Sequence, residues 1–349
     1  MARQTRTRAA ARPRHAAPRA GVVDIDSWNL ALPDPEREGF LGDRASHTAF
    51  RDTLRRMRRE ARTGDDPFAR AGEPDGEQVD QVLIGGDADA AHVVHLAVED
   101  WARQLAFVVR CFLARPEWEG VERIVMGGGL PQSVHGGLAV RRAQKLLRQA
   151  RASVELVILS HDPDEAGMLG WVPLAPASTH RFDGFLGVDI GGNHFRSGIV
   201  LPRLDRAKDG AKACMYESLN WRHSDDDPDR EQAIDRIAGM LNALAALARG
   251  TGLKLAPFVG VACPGDMDAR GRLCTGTQNL PGDWEIPFDF PRELASRLDR
   301  IGGRRPQVLM HNDAVVQGLS EHVRMRGARR WGVLTVGTGL GNASYTRRR

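Results

Sequence analysis

The stretch that decides the fold is residues 185–201, which read FLGVDIGGNHFRSGIVL. Two apolar runs, Phe185–Ile190 and His194–Leu201, lie on either side of Gly191-Gly192-Asn193, and runs of this length and composition predict β-strands. Gly and Asn tolerate the positive φ of a tight primed turn. The triplet therefore predicts a hairpin that joins the two strands.

Strands and helices alternate on both sides of this hairpin. Apolar residues spaced by three or four positions predict amphipathic helices at 88–113, 134–150 and 230–249. Short apolar runs predict further strands at 121–126, 154–160, 258–262, 307–311 and 331–336. This order predicts the α/β fold class.

The composition is that of a globular chain with basic ends. Of the 349 residues, 42% are hydrophobic and 27% charged, which is typical of a chain of about two domains. The net charge is +4, but six arginines lie within residues 1–20 and three more are residues 347–349, so the remainder carries −5. A mildly acidic body argues against a specific nucleic-acid partner. The first 20 residues, rich in Arg, Ala and Pro, predict a disordered tail.

The cysteines and the apolar runs indicate the cellular compartment in which the protein is expected. Cys111, Cys214, Cys263 and Cys274 form no CxxC pair, which argues against a disulfide framework and against structural zinc. The chain has neither the apolar core of a secretory signal near its start nor a run of about 20 apolar residues. We therefore expect a cytoplasmic protein with no membrane partner.

Three glycine clusters stand at the ends of predicted strands: Gly127-Gly128-Gly129, Gly191-Gly192 and Gly337-Thr338-Gly339. Without a Cβ, backbone N–H groups can approach a phosphate closely. Any one of these clusters alone is more typical of a plain turn, but three together are harder to explain in that way. Asp189 precedes the second cluster, and its carboxylate could hold Mg²⁺ beside a nucleotide's phosphates, directly or through water.

A second polar element is His311-Asn312-Asp313-Ala314, where a buried strand is predicted to run into a helix. Asp is a favoured helix N-cap, so Asp313 could simply cap that helix. Its carboxylate could also accept the proton of a substrate hydroxyl that attacks a phosphoryl group. The two interpretations are compatible.

Five motifs together resemble the ROK (repressor, open reading frame, kinase) family of sugar kinases. In the order typical of that family they are GVDIGG at 187–192, VACPG at 261–265, QNLPGDW at 278–284, HNDA at 311–314 and GTGLG at 337–341. The resemblance implies two ribonuclease-H-like lobes of the actin-like ATPase superfamily with a cleft between them. It also implies a sugar and ATP as substrates, with Mg²⁺.

The resemblance implies a role for each matching residue. Asp189, Gly191, Gly192 and Asn193 would form the first phosphate loop, and Gly337, Thr338 and Gly339 the second. Asp313 would be the catalytic base. Asn279 and Asn312 would lie close to the sugar hydroxyls.

We expect the nucleotide-binding half of such a kinase to lie at the front of this chain. Residues 123–130, RIVMGGGL, resemble the family's adenosine loop, which implies that Gly127, Gly128 and Gly129 bind adenosine; residues 164–170, DEAGMLG, resemble its terminal helix. We therefore expect a circular permutation. It would divide the chain into a tail and irregular segment (1–42), the first part of the nucleotide lobe (43–178), a phosphate and sugar lobe (185–325) and a hairpin returning to the nucleotide lobe (326–349).

Three departures from the family pattern concern the substrate. Asn193 stands where a Thr is usual, the closely spaced zinc cysteines are missing, and so is the Glu-x-Gly-His segment that contacts the sugar. His47, His92 or His95 could replace that histidine, or His92 and His95 could be ordinary helix residues. The sugar is therefore left as a hexose or an amino sugar.

The sequence favours an ATP-dependent, glucokinase-like sugar kinase, and two other classes were weighed. A non-catalytic, regulatory sugar- or nucleotide-binding protein is the alternative, although only one basic helix (45–62) could serve DNA recognition. A Rossmann oxidoreductase is disfavoured because Gln132 occupies the third glycine position of G-x-G-x-x-G. The helix at 88–113 could also supply a homodimer interface.

Overall fold

The computed structural model describes residues 15–61 and 73–348. Within these residues the helices are α1 (His47–Glu60), α2 (Gly76–Gly85), α3 (Ala88–Leu113), α4 (Gly129–Gln132), α5 (Val134–Gln149), α6 (Pro163–Leu169), α7 (Arg230–Gly250), α8 (Phe290–Arg297) and α9 (Asp313–Ser320). The strands are β1 (Arg19–Ala20), β2 (Val23–Trp28), β3 (Arg123–Gly127), β4 (Glu155–Ile158), β5 (Gly184–Ile190), β6 (Phe195–Leu201), β7 (Cys214–Trp221), β8 (Leu255–Cys263), β9 (Asp266–Met267), β10 (Leu273–Thr275), β11 (Gln307–Asn312), β12 (Arg330–Val336) and β13 (Leu340–Arg347).

Two mixed sheets organise these elements. The first has the order β1-β2-β13-β12-β3-β4 and the second β11-β8-β5-β6-β7, while β9 and β10 form a small ribbon. In the second sheet, β5, β6 and β7 are antiparallel neighbours, and β8 and β11 continue parallel to β5. The α/β class predicted from the sequence is confirmed.

The first sheet repeats this arrangement with strands from both ends of the chain. β12 and β13 pair antiparallel, β13 pairs antiparallel with β2, and β3 and β4 continue parallel to β12. Apart from the two-residue β1, which pairs antiparallel with β2 at the edge of the first sheet, each sheet therefore holds three antiparallel strands followed by two parallel ones. In the first sheet the third antiparallel strand is β2, whose Val23 pairs with Arg347.

The strand β2 corrects the irregular structure predicted for residues 21–42. Val23, Ile25 and Ser27 point inward and alternate with more exposed residues. This alternation of two is the local signal for a half-buried strand, and it is short because β2 has only six residues. The disordered tail is predicted for residues 1–20, of which residues 1–14 lie outside the described residues. Residues 15–20 are described and include the strand β1, so the prediction is wrong for that part.

The predicted hairpin at β5 and β6 is confirmed, but its backbone explanation is wrong. None of Gly191, Gly192 and Asn193 has a positive φ. The turn is closed by the Gly191 N–H, which donates to the His194 carbonyl at 2.9 Å. The glycines are therefore explained by how closely other groups approach them and not by a primed turn.

The long helix α3 forms the centre of the largest apolar cluster, as its spacing predicts. Val94, Trp101 and Leu105 are buried, and the Trp101 indole donates to the Ser46 carbonyl at 3.1 Å. Its apolar face is thus covered from within the chain. Among the described residues, no helix is both long and apolar enough to cross a membrane.

Candidate functional site

The parallel strands of the second sheet bring two carboxylates to one edge. Asp189 lies near the carboxyl end of β5, and Asp313 follows directly after β11. The strand between them, β8, pairs in register with both, Ala262 opposite Asp189 and Cys263 opposite Asn312. Carboxyl ends of parallel strands share an edge, which is where α/β sheets place their ligands.

Asp189 is a largely buried carboxylate with incomplete charge compensation. Its side chain is 15% exposed, and its closest cation, the Arg196 guanidinium on β6, lies 3.5 Å away. Arg196 is shared with Asp164, at 2.8 Å. Burial raises the pKa of Asp189 to about 7; Arg196 opposes the shift, and Asp313 and Asp164 add to it. Such a shift is typical of a functional carboxylate.

Asp313 is the first residue of α9, and it is not that helix's cap. The Asn312 Oδ1 accepts from the Ala314 N–H at 3.1 Å and from the Val315 N–H, so Asn312 is the N-cap. The Asn312 side chain also donates to the Gly265 carbonyl at 3.1 Å. The cap role weighed for Asp313 is therefore wrong. Burial raises the pKa of Asp313, while the Ala314 N–H that it accepts lowers it.

Both glycine hairpins and the predicted sugar contact meet at Gly192. A methyl group placed on Gly192 would lie 3.2 Å from the Asn279 Cβ and 3.7 Å from the Thr338 Oγ1. On the far side, a methyl group on Gly341 would lie 3.1 Å from the Cβ of Ala314, the neighbour of Asp313. Asn279 and Thr338 are exposed, so these turns face solvent at the sheet edge that bears the carboxylates.

The second hairpin is held by the start of α1. The Gly337 carbonyl accepts from the His47 N–H at 2.9 Å, and the Thr338 carbonyl accepts from the Thr48 hydroxyl at 3.1 Å. His47 thus lies at the site, whereas His92 and His95 are on the exposed face of α3. Of the three histidines that could contact the sugar, only His47 lies at the second hairpin.

A cavity of about 480 Å³ adjoins the two hairpins. Asn193 lines it from the first hairpin and Thr338 from the second, while α1, the start of α2 and His135 close the other sides. His135 is buried, stacks on Phe50 with ring centroids 4.8 Å apart, and its Nδ1 lies 2.5 Å from Asp80. The cavity therefore has an aromatic floor and a polar mouth at the hairpins.

Two of the three predicted adenosine glycines have packing explanations. A methyl group on Gly127 would lie 2.0 Å from the Gln317 Oε1, and one on Gly128 would lie 2.2 Å from the Val336 carbonyl. Gly128 also has φ +85°. Gly129 has open space around its Cα. None of the three lines the cavity itself, which begins at His135, further along the same segment.

Gly128→Ala should lower the free energy of unfolding by about 2 kcal/mol or more, since positive φ alone costs a residue with a Cβ about 1–2 kcal/mol. Contact with the Val336 carbonyl adds to this cost. Gly129→Ala, where nothing lies within 4 Å, is the matched control and should change it little. Urea unfolding measures both, and equal effects would contradict the packing explanation.

Sequence reasoning missed two further residues. Arg196 pairs directly with Asp189 across β5 and β6, so the register of the predicted hairpin is the signal that could have found it. His223 lies just after β7 and is buried, and its Nε2 lies 3.0 Å from the Gly191 carbonyl, to which it donates. The acidic residues after it are exposed.

The chemistry of the edge fits a magnesium ion. Mg²⁺ is typically bound through one or two carboxylates and the substrate's phosphates. Asp189 supplies such a carboxylate, and burial raises its pKa although Arg196 lies 3.5 Å away. Among the described residues no group of three His, Cys, Asp or Glu side chains forms a metal cluster.

No protein-family model matches the chain, and no curated protein matches it significantly. Solved structures do resemble it. A ROK hexokinase from Thermus thermophilus is 23% identical over 48% of this chain and 48% of its own, with a TM-score of 0.35. A ROK family glucokinase from Streptomyces griseus, in complex with glucose and AMPPNP, is 21% identical over 48% of this chain and 45% of its own (TM-score 0.34).

An inorganic polyphosphate/ATP-glucomannokinase from Arthrobacter sp. strain KM is 27% identical over 46% of this chain and 57% of its own, with a TM-score of 0.32. The chain thus matches about half the length of these structures. All three are sugar kinases by description, and two are described as ROK proteins.

Proposed function

We propose that this chain transfers the γ-phosphoryl group of Mg·ATP to a hydroxyl of a hexose or amino sugar, with Asp313 as the base. The observation that carries the proposal is the meeting of Gly192, Thr338 and Asn279 at the sheet edge that bears Asp189 and Asp313. Two side-chain-free turns beside two carboxylates suit a phosphate that is held by backbone N–H groups while an oxygen attacks it.

The nucleotide would occupy the 480 Å³ cavity with its phosphates at the hairpin end, where Asn193 and Thr338 face it. The Asn193 amide can donate to phosphate in place of the usual threonine hydroxyl. Burial lowers the pKa of both His47 and His135, so the imidazoles around the cavity are neutral near pH 7.

Asp189 would hold the magnesium ion, directly or through water. When bound, Mg²⁺ neutralises charge that develops on the transferred phosphoryl group. Arg196 keeps Asp189 in place from the neighbouring strand and supplies a second positive charge. Positioning and electrostatics would account for most of the acceleration.

Asp313 would accept the proton of the sugar hydroxyl as that oxygen attacks. Its pKa is raised by burial, which makes the carboxylate a stronger base than an exposed aspartate. Asn279, exposed beside Gly192, would contact the sugar. The Asn312 amide accepts from the Ala314 N–H with its oxygen and donates to the Gly265 carbonyl with its nitrogen. Its role would therefore be to hold Asp313 in position.

The strand order supports a circularly permuted two-lobed fold. With the short β1 set aside, both sheets have the same five-strand arrangement. In the first sheet these five strands follow one another along the chain only if β13 is joined to β2. The Arg348 N–H donates to the Val22 carbonyl at 2.9 Å, so the two segments already lie side by side. Such a rewiring leaves the packing of both lobes unchanged.

The proposal is tested by ADP production from the purified chain with a panel of hexoses and amino sugars, with ATP or polyphosphate as donor, and with or without Mg²⁺. We expect sugar-dependent turnover that requires Mg²⁺. Nucleotide binding without turnover for any sugar would contradict catalysis and favour the sensor alternative.

His223→Phe should raise the KM for nucleotide several-fold, because it keeps the ring packed on Phe195 but removes the donor to the Gly191 carbonyl. A lost hydrogen bond of this kind is worth about 1 kcal/mol. His223→Gln keeps an N–H donor, so its KM for nucleotide should be closer to that of the unchanged protein. Steady-state kinetics compares them, and equal KM values for all three would show that the bond does not shape the loop.

A further inference from the structure

A short segment before β1 crosses from one sheet to the other. The Ala16 N–H donates to the Met310 carbonyl at 3.0 Å, and the Met310 N–H donates to the His15 Nδ1 at 3.1 Å. These bonds cover the free edge of β11. Two residues later the Pro18 carbonyl accepts from the Ile25 N–H at 2.9 Å, within the first sheet. We call His15–Ala17 the strap.

The strap reaches Asp313 through the ring of His311. The His311 Nε2 lies 3.0 Å from the Ala17 carbonyl and donates to it, and the Nδ1 accepts from the Asn312 N–H at 2.8 Å. The ring is 1% exposed and meets Trp28 of β2 edge-on, with centroids 5.4 Å apart. One imidazole therefore connects the strap, the first sheet and the residue that caps the helix of Asp313.

Both ring nitrogens of His311 form hydrogen bonds, Nε2 as the donor and Nδ1 as the acceptor, and this fixes the tautomer. Burial lowers the pKa of His311 to about 4, so the ring stays neutral and Nδ1 remains an acceptor in the physiological range. The His15 ring is packed under Gly271, where a methyl group would lie 2.3 Å from the His15 Nδ1. The strap is thus enclosed by the second sheet's own loops and is not a loose end.

We propose that the strap is a positioning segment for Asp313: it fixes the edge of β11 and, through His311 and Asn312, the placement of the base relative to the opposite sheet. A parallel edge strand without the strap would keep partners on one side only, along β8. Small displacements of a reacting group are costly, and a shift of about 1 Å can lower the rate 10²-fold. The proposal rests on the proposed function, in which Asp313 is the base.

The test uses two substitutions at one position in the full chain. Ala16→Pro removes the N–H that bonds Met310 and cannot adopt the φ of +45° found there. Ala16→Gly keeps the N–H and accepts that φ readily. We expect Ala16→Pro to lower kcat at least tenfold with KM for nucleotide within twofold, and Ala16→Gly to match or exceed the unchanged protein.

Hydrogen exchange supplies a readout that does not depend on activity. In Ala16→Pro the amides of Met310 and Asn312 should exchange faster, while those of β8, on the protected side, stay unchanged. His15→Asn, which offers an acceptor to the Met310 N–H, should recover kcat relative to His15→Ala.

Two results would overturn the proposal. One is equal kcat and equal exchange in the proline and glycine variants. The other is a lower kcat together with a raised KM and faster amide exchange throughout both sheets. That result would mark a purely structural role. If the unchanged chain shows no turnover, the proposed function fails, and local exchange at Met310 and Asn312 still decides whether the strap holds β11.

Discussion

Asp313→Asn should reduce sugar-dependent turnover by a factor of about 10²–10⁴, the usual contribution of a positioned general base. The amide has the same shape as the carboxyl but cannot accept the hydroxyl proton. Its Oδ1 can still accept the Ala314 N–H, now 2.8 Å away, so α9 should start normally. Nucleotide affinity, measured by calorimetry, should therefore change little.

Asp299→Asn is the matched control. This exposed aspartate follows α8 and does not line the cavity at the hairpins, so its substitution should leave turnover unchanged. The pH dependence offers a second check. Because the pKa of Asp313 is raised, kcat/KM should fall on the acid side at a higher pH than an ordinary aspartate would give. Turnover that persists in Asp313→Asn with the same acid limb would assign the base to another residue.

Asp189→Asn should stabilise the ligand-free protein at pH 8 while abolishing magnesium-dependent turnover. The pKa of Asp189 is raised from 3.8 to about 7, mainly by burial. A carboxyl with a raised pKa binds its proton more tightly in the folded state, so stability falls as pH rises from about 4 to 7. Above that window the ionised group costs on the order of 3 kcal/mol, which the amide avoids.

Urea unfolding at pH 4 and pH 8 measures this effect. The gain from Asp189→Asn should be large at pH 8 and small at pH 4, where the native carboxyl is already protonated. Mg·ADP should raise the melting temperature of the unchanged protein more at pH 8 than that of the variant. A variant that is less stable at pH 8 would show that the native environment compensates the charge of Asp189.

These opposite effects on stability and activity have one cause. A carboxylate kept in a poorly compensated place costs stability when no ligand is present. The same lack of compensation leaves the group free for a cation, so the cost is recovered when a metal and a phosphate arrive. Arg196, at 3.5 Å, limits the cost without removing it.

Much of the fold follows from local patterns in the chain. The hairpin of β5 and β6, the amphipathic face of α3 and the strand leading to Asp313 are found where the residue spacing predicts them. Side-chain period and burial are properties of neighbouring residues, so a short window contains the information. The position of each glycine cluster at the end of a strand can also be predicted from a short stretch of sequence.

The roles of individual site residues depend on the tertiary structure. Asn312 and Asp313 are neighbours, and either residue type can cap a helix. Asn312 is the cap of α9, and its amide is held by a hydrogen bond to the Gly265 carbonyl. Arg196 and His223 become part of the site through register and burial. A sequence window cannot resolve such choices, because several residues there are chemically able to take each role.

What the sequence by itself determined is the α/β class, the residues that end the key strands and the order of the glycine turns. Only the tertiary structure decided that β2 completes the first sheet, with Ser27 bonded to Ser344 across 317 positions, and that His15–Ala17 covers β11. The physical reason is range. Period and turn chemistry act between neighbours, whereas pairing across the chain depends on which complementary edges remain free once each local element has formed.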